Sequence, residues 1–141
     1  MPYSTNNTYP WAIIGAGPAG LASAGLLLEA GVNGDDIVLI DPYFGAGDFG
    51  RHWGEVYSNT SVELFLRFLN DIKVFSFNER TDICALESKN PEDYCQLKEV
   101  TKALLWVTEN LCSKIDTAQG HAHNVKIKDG AWMIDIDRSQ L

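Results

Sequence analysis

The sequence has few basic residues, no long hydrophobic run and no recognisable leader. Its 11 lysines and arginines stand against 19 acidic residues, which leaves a net charge of −8. A strongly acidic chain is repelled by phosphate backbones and anionic lipids, so neither nucleic acid nor membrane is expected as a partner. No apolar run reaches the ~18 residues of a membrane span. Residues 1–10 are polar and lack the features of a signal peptide, so a cytoplasmic location is expected.

Cysteine pairs and metal-ligand clusters are also missing. Cys84, Cys95 and Cys112 are far apart and form no Cys-x-x-Cys motif. This spacing predicts reduced thiols, two of them on the core face of a helix, rather than disulfides or a thioredoxin-type centre. His121 and His123 have the spacing of two ligands on a strand, but no cysteine or carboxylate completes a site. A solvated loop pair is favoured, and no metal is expected.

Glycine is scarce in the last two thirds of the chain and abundant before them. Ten of the 12 glycines lie between Gly15 and Gly54, which predicts sharp turns and close backbone approaches in that part. No linker and no internal repeat is apparent. The 141 residues suit one domain, expected to span residues 1–141.

The glycine-rich part begins with a strand–helix–strand pattern. Residues 11–14 (WAII) are a short apolar run that ends at glycine, which predicts a buried parallel strand. Residues 18–30 predict a helix that begins at proline and ends before Gly31. Residues 37–40 (IVLI) predict a second buried strand that ends at Asp41. This is a right-handed βαβ unit, and it predicts a Rossmann-like, three-layer α/β fold with a parallel sheet.

The rest of the chain gives weaker signals. After a glycine-rich loop over residues 42–54, residues 62–69 are expected to form a short helix or turn. Residues 90–93 (NPED) predict a helix start, and the apolar stripe that follows predicts a helix to about Ser113. An alternating pattern around Asp129-Gly130 predicts a C-terminal antiparallel hairpin. The stripe consists of Leu97, Val100, Leu104, Val107 and Leu111.

Residues 15–20 (GAGPAG) match G-x-G-x-x-G in the strand–turn–helix context that this motif requires. Gly15 is expected to make the tight turn, Gly17 to leave room for a pyrophosphate, and Gly20 to bring the helix close to the sheet. The helix N-terminus adds N–H groups and a positive dipole end. Asp41 is suited to accept hydrogen bonds from ribose hydroxyls and disfavours a 2′-phosphate. The prediction is a dinucleotide site, with FAD and NAD both open because both present ADP.

A resemblance separates the two dinucleotides. Residues 12–41 resemble the N-terminus of FAD-dependent oxidoreductases of the two-dinucleotide-domain class, which includes flavin-containing monooxygenases, Baeyer–Villiger monooxygenases and thioredoxin-reductase-like enzymes. Residues 50–53 (GRHW) resemble the Gly-Gly-x-Trp segment of the flavin monooxygenases, with arginine at the second position. Residues 57–61 (YSNTS) resemble a segment that lies near the flavin ring in that family.

The resemblance implies a set of cofactor contacts. Asp41 would bind the adenosine ribose of FAD, Trp53 would flank the cofactor, and Asn59 would lie near the flavin. Trp53 is explained equally well as a packed loop aromatic, and Asn59 as a cap of the 62–69 segment. No catalytic residue is assigned. The residues implied to hold the pyrophosphate are Gly15, Gly17, Pro18, Ala19 and Gly20.

The resembled enzymes carry a second glycine fingerprint in an NADPH domain, and further strands complete their FAD sheet. A single fingerprint is expected here, so the chain looks like the front part of a monooxygenase-like, NAD(P)H-dependent flavoprotein. The alternatives are an NAD-binding dehydrogenase or reductase domain, and a non-catalytic nucleotide-binding module that acts through a partner. The apolar residues among 65–69 are expected in the core or in an interface, which would allow self-association.

Overall fold

The computed structural model describes residues 7–141, so residues 1–6 of the N-terminal segment considered above lie outside the described residues. Three strands form a parallel sheet in the order β1-β2-β3, namely β1 (Trp11–Ile14), β2 (Ile37–Asp41) and β3 (Asp116–Gln119). Two further strands, β4 (His121–Lys128) and β5 (Ala131–Asp137), form an antiparallel ribbon. The predicted α/β class, with a parallel sheet and a terminal hairpin, is confirmed.

Four α-helices accompany the strands in the described part of the chain: α1 (Pro18–Glu29), α2 (Asp48–Arg51), α3 (Val62–Asp71) and α4 (Leu97–Cys112). Helix α1 agrees with its prediction, and the segment expected as a short helix or turn is the ten-residue α3. The glycine-rich loop contains the single-turn helix α2, which was not predicted. None of these helices is long and apolar enough to cross a membrane.

Strand β2 is the centre of the sheet, and all five of its residues are buried. Trp11 of β1 pairs with Ile37, and Asp116 of β3 pairs with Val38, so the three strands run side by side in one direction. Their carboxyl ends therefore meet at one edge of the sheet. In open α/β sheets, ligands bind at that edge.

Strand β3 was not found from the sequence. Its residues, Asp-Thr-Ala-Gln, carry no apolar run, because β3 is an edge strand with alternating half-buried and exposed residues. Ile115, just before it, is part of the core. The Tyr9 hydroxyl donates a hydrogen bond of 2.7 Å to the Asp116 carboxylate. Long-range contacts, rather than local propensity, make this segment a strand.

The predicted start of α4 at residues 90–93 is wrong, since the helix begins at Leu97. Residues 91 and 93 have another use: their carbonyls accept the N–H groups of Glu63 and Val62 at the start of α3. Helix α4 is capped instead by Gln96, whose backbone N–H donates to the Glu99 carboxylate at 3.2 Å in a capping box. The predicted apolar stripe is confirmed, because all five of its residues are buried.

The core lies between the sheet and the helices, and it includes most of α3's apolar face. Leu69 is fully buried, and Phe65, Leu66 and Phe68 are partly buried against the core. Of the two predicted locations for these residues, the core and an interface, the core is correct for Leu69. The cysteines are free, as predicted, but only Cys112 lies in a long helix.

The hairpin prediction is confirmed in detail. Asp129 and Gly130 have φ values of 52° and 78°, as a type I′ turn requires at both central positions. Ile127 faces Trp132 across the ribbon, and both side chains are largely exposed. His121, at the start of β4, pairs with Asp137 near the end of β5, next to the carboxyl edge of the parallel sheet.

Candidate functional site

The first glycine turn connects β1 to α1 at the carboxyl edge of the sheet. Gly15 has a φ of 103°, which favours glycine, and its N–H donates to the Ile40 carbonyl at 2.8 Å. A Cβ on Gly20 would overlap the Gly15 carbonyl oxygen, so the turn cannot close with a larger residue there. Two of the three glycine roles expected from the motif are therefore visible in the structure.

The N-terminus of α1 is left without a protein cap. Its N-cap residue is Gly17, no side chain accepts the first N–H groups, and the first turn contains no acidic residue. Pro18 stands at the first helical position, where its missing N–H costs nothing. Ala19 and Gly20 follow in that turn. An uncapped N-terminus of a twelve-residue helix provides N–H groups and a positive dipole end for an anion.

Asp41 is buried, and backbone groups already occupy most of its carboxylate. Oδ1 accepts the Ala16 N–H at 2.8 Å, and Oδ2 accepts the N–H groups of Tyr43 and Phe44 at 2.9 and 2.7 Å. The carboxylate thus joins the first glycine turn to the chain that leaves β2. A carboxylate offers about four lone-pair directions, so at most one remains for a ribose hydroxyl.

A second glycine turn lies directly after this point, and the expectation of a single fingerprint without an internal repeat is wrong. Residues 45–50 (GAGDFG) also match G-x-G-x-x-G, and they lead into α2. Phe44, Ala46 and Gly47 all have φ values between 53° and 64°, so the turn is held in a left-handed conformation that is unusual for the first two. The second turn lacks the long helix and the following strand of a complete βαβ unit, so its sequence context does not indicate a dinucleotide fingerprint.

The two glycine turns meet at their middle glycines. A Cβ on Gly47 would lie 3.1 Å from the Gly17 Cα, so the backbones are in direct contact. Beside this contact is an open depression of about 320 Å³. Its lining comes from both turns and from Trp53. The lining residues are Ile14, Gly15, Gly17, Pro18, Ala19, Gly20, Gly47, Asp48, Phe49 and Trp53.

This depression brings together most of the residues implied by the resemblance, and it separates others. Trp53 lines it with 48% of its surface exposed, and its role beside the cofactor stays a prediction, as does the alternative of a packed loop aromatic. Asp41 lies beneath the first turn rather than in the lining. Asn59 is exposed and outside the lining, and the carbonyls that receive the first N–H groups of α3 belong to Pro91 and Asp93. The interpretation of Asn59 as a helix cap is therefore wrong.

An aromatic and cationic cluster borders the same edge of the sheet. The Arg51 guanidinium carbon lies 3.6 Å from the centre of the Tyr43 ring, and the ring packs edge-on against His121 at 5.8 Å. His121 Nε2 is buried and has no hydrogen-bond partner in the described part of the chain. His121 and His123 both belong to β4, so they are not a loop pair. Residues 7–141 contain no group of three side chains suited to hold a metal ion.

The residues at this edge suit a pyrophosphate better than a reacting group. The depression has glycines from two turns, an uncapped helix N-terminus and an exposed tryptophan at its rim. A dinucleotide needs these features: backbone that it can approach closely, and N–H groups for the phosphates. No side chains in the lining have the arrangement of a nucleophile and a base.

Comparisons with known proteins point to the same segment. Residues 8–68 match the family described as "FAD binding domain". A curated relative, Monooxygenase AgnR1 from Paecilomyces divaricatus, is 49% identical over 63 residues, which cover 45% of this chain and 16% of the relative. No solved structure matches the chain. These matches support an FAD-binding segment of the flavoprotein monooxygenase type, and they give NAD no support.

Proposed function

We propose that this chain is the FAD-binding part of an NAD(P)H-dependent, monooxygenase-like flavoprotein oxidoreductase. One observation carries the proposal: the βαβ unit with its uncapped glycine turn lies within residues 8–68, the residues that match the FAD binding domain family. When bound, FAD supplies hydride and electron transfer. The dependence on NAD(P)H rests on the resemblance to enzymes with two dinucleotide domains.

We assign each proposed role according to where the residue lies relative to the depression. Gly15, Gly17, Ala19 and Gly20 bind the pyrophosphate with Pro18 at the helix start, and Trp53 flanks the cofactor from the rim. Asp41 holds the first turn and accepts a ribose hydroxyl with its remaining lone pair. Asn59, exposed before α3, lies near the flavin.

The test is a titration of the purified protein with FAD, FMN and NAD, followed by the change in flavin absorption and fluorescence and, for NAD, by calorimetry. FAD is expected to bind and FMN to bind far more weakly, because FMN lacks the adenosine half. Gly17→Val is expected to abolish FAD binding, since its branched side chain would fill the space between Gly17 and Gly47. Ser23→Val, on the exposed side of α1, is the control and keeps binding.

Two results would contradict the proposal. One is wild-type affinity for FAD in Gly17→Val, because the turn would then play no part in binding. The other is tight binding of NAD with no binding of FAD, which would favour the dehydrogenase or reductase alternative.

A further inference from the structure

The second glycine turn repeats the first in sequence and in steric detail. Both read Gly-Ala-Gly-x-x-Gly, and in both the third glycine lies against the carbonyl of the first. A Cβ on Gly50 would overlap the Gly45 carbonyl oxygen, just as one on Gly20 would overlap that of Gly15. The same sequence pattern and the same glycine–carbonyl contact therefore occur twice, once after β1 and once after β2, although Gly17 is extended and Gly47 has a φ of 64°.

The two turns face each other across a close backbone contact, which is tighter on the Gly47 side than on the Gly17 side. A Cβ on Gly17 would lie 3.7 Å from the Gly47 Cα, and one on Gly47 would lie 3.1 Å from the Gly17 Cα. The second distance is tighter than a carbon–carbon contact normally is, so a methyl group on Gly47 would require the first turn to shift by a few tenths of an ångström. The depression described above opens beside this contact and is lined by both turns.

We propose that the pyrophosphate of the dinucleotide lies in the depression beside the contact of the two glycine turns, so that Gly47 is a binding residue alongside Gly17. This inference rests on the proposed function and names a second wall for the same site. Gly47 and Gly17 are proposed to be glycines for the same reason. At each position the ligand and the opposite turn both approach the backbone closely, and a side chain would be in the way.

Charge distinguishes the two walls. The first turn carries the uncapped end of α1 and no acidic residue. The second carries Asp48, which lines the depression and has His52 at 3.8 Å as an ion-pair partner if that histidine is protonated. A carboxylate beside two phosphates is repelled by them, so the second turn contributes close approach rather than attraction. Neutralising Asp48 should therefore strengthen the binding of any ligand whose phosphates lie there.

Asp41 makes the two turns one unit. Its carboxylate holds the Ala16 N–H of the first turn and the Phe44 N–H immediately before the second. Gly50 also packs against Thr101 of α4, which anchors the second turn to the core from its other side. The two glycine turns, residues 15–20 and 45–50, thus form a preorganised cradle for the ligand, and binding does not have to order a free loop.

The experiment measures the affinity of FAD, ADP, inorganic pyrophosphate and adenosine for a matched set of variants. Gly47→Ala is expected to weaken FAD, ADP and pyrophosphate about tenfold or more and to leave adenosine unchanged. Gly45→Ala is the control from the same loop, because a Cβ there meets nothing within 4 Å. Gly130→Ala, with a φ of 78° and open space around it, measures the cost of backbone strain alone.

A second variant and a measurement on the unmodified protein cover the case in which Gly47→Ala does not fold. Asp48→Asn is expected to tighten ADP and pyrophosphate severalfold, most strongly at low salt. In ¹H–¹⁵N spectra of the wild type, ADP and pyrophosphate are expected to shift the amide signals of both turns. Adenosine is expected to shift the amide signal of neither Gly17 nor Gly47.

The outcomes separate this inference from the proposed function. If the wild type binds neither FAD nor ADP, the proposed function and this inference are both contradicted. If it binds them while Gly47→Ala and Asp48→Asn leave every affinity unchanged, only the inference is overturned. Tighter binding in Gly47→Ala would identify the second turn as an obstruction, and weaker binding in Asp48→Asn would place a ribose beside Asp48. Either result also overturns it.

Discussion

Asp41 has a structural role in addition to the ribose contact that its position in the motif predicts. Its place at the end of β2 predicts a ribose contact, and the fold surrounds its carboxylate with three backbone N–H groups. Hydrogen bonds to a charged acceptor contribute about 1.5–3 kcal/mol each. The side chain therefore stabilises the cradle before any ligand arrives.

Asp41→Asn is expected to lower the free energy of unfolding by about 1–3 kcal/mol, because the amide cannot accept all three bonds. Urea unfolding measures this, with the exposed Asp36→Asn as the control. The proposed ribose contact adds a second expectation: ADP loses more affinity than 2′,3′-dideoxy-ADP. Equal losses for the two nucleotides would remove the ribose contact, and unchanged stability would contradict the structural duty.

Two thiols, the buried Cys95 and the partly buried Cys112, predict a pH dependence of stability. Burial raises the pKa of Cys95 and of Cys112 above the ordinary value of 9.0. Because the folded state holds these protons more tightly than the unfolded state, their contribution is fully present below about pH 9 and is lost as the pH rises towards the raised values.

The free energy of unfolding is therefore expected to fall as the pH rises above about 9, and Cys112→Ala is expected to reduce the slope. Chemical unfolding at a series of pH values measures both. An identical slope in Cys112→Ala would show that this thiol titrates in the same way in the folded and unfolded states.

At the scale of elements, the start of α4 depends on its tertiary neighbours. Residues 90–93 have the composition of a helix start, yet the carbonyls of Pro91 and Asp93 bind the first turn of α3. The chain then continues through Cys95, whose backbone N–H and carbonyl both bond to Ser58. Only after these contacts does it turn into a helix at Leu97.

Glu99→Ala is expected to destabilise the protein by about 1 kcal/mol, because it removes one half of the capping box of α4. Glu92→Ala is the matched control, since its side chain lies in the segment that was wrongly predicted to start the helix. Urea midpoints compare the two variants. A larger loss for Glu92→Ala would contradict the observed helix boundary.

For the whole molecule, the FAD-family match covers residues 8–68, which run from β1 into α3. The remaining residues supply α4 and β3, which bury β2 and complete the described sheet. The cradle is thus built from matched residues and held in place by later ones. The chain spans 16% of the curated relative's length, so the activity of the whole protein is a proposal.

The 141-residue chain is expected not to oxidise NADPH, with or without added FAD. The depression is open and Trp53 at its rim is half exposed, so nothing in the described residues encloses a reactive ring. Positioning of reactants supplies as much as ~7–11 kcal/mol of a barrier, and a loosely held flavin forgoes most of it.

The measurement is NADPH consumption in air with FAD in excess, against a control of free FAD. Sustained turnover above that control would contradict the expectation and would mean that the chain completes an active site by self-association.

The sequence by itself determined the elements whose signals are local. Strand β1, the glycine turn, helix α1 and strand β2 form from neighbouring residues, and so does the hairpin at Asp129-Gly130, where the turn type requires φ values that this pair adopts readily. Their side-chain patterns are complete within a few residues, and no distant partner is needed to read them.

Only the tertiary structure decided the features that join distant segments. Strand β3 forms because β2 offers an unpaired edge, and α4 starts late because α3 needs the carbonyls ahead of it. The Asp41 carboxylate turns to the backbone because Ala16 and Phe44 are brought to it from opposite sides. Gly17 and Gly47 meet across 30 residues of chain, a contact that no local pattern contains, because it depends on how β1 and β2 lie side by side.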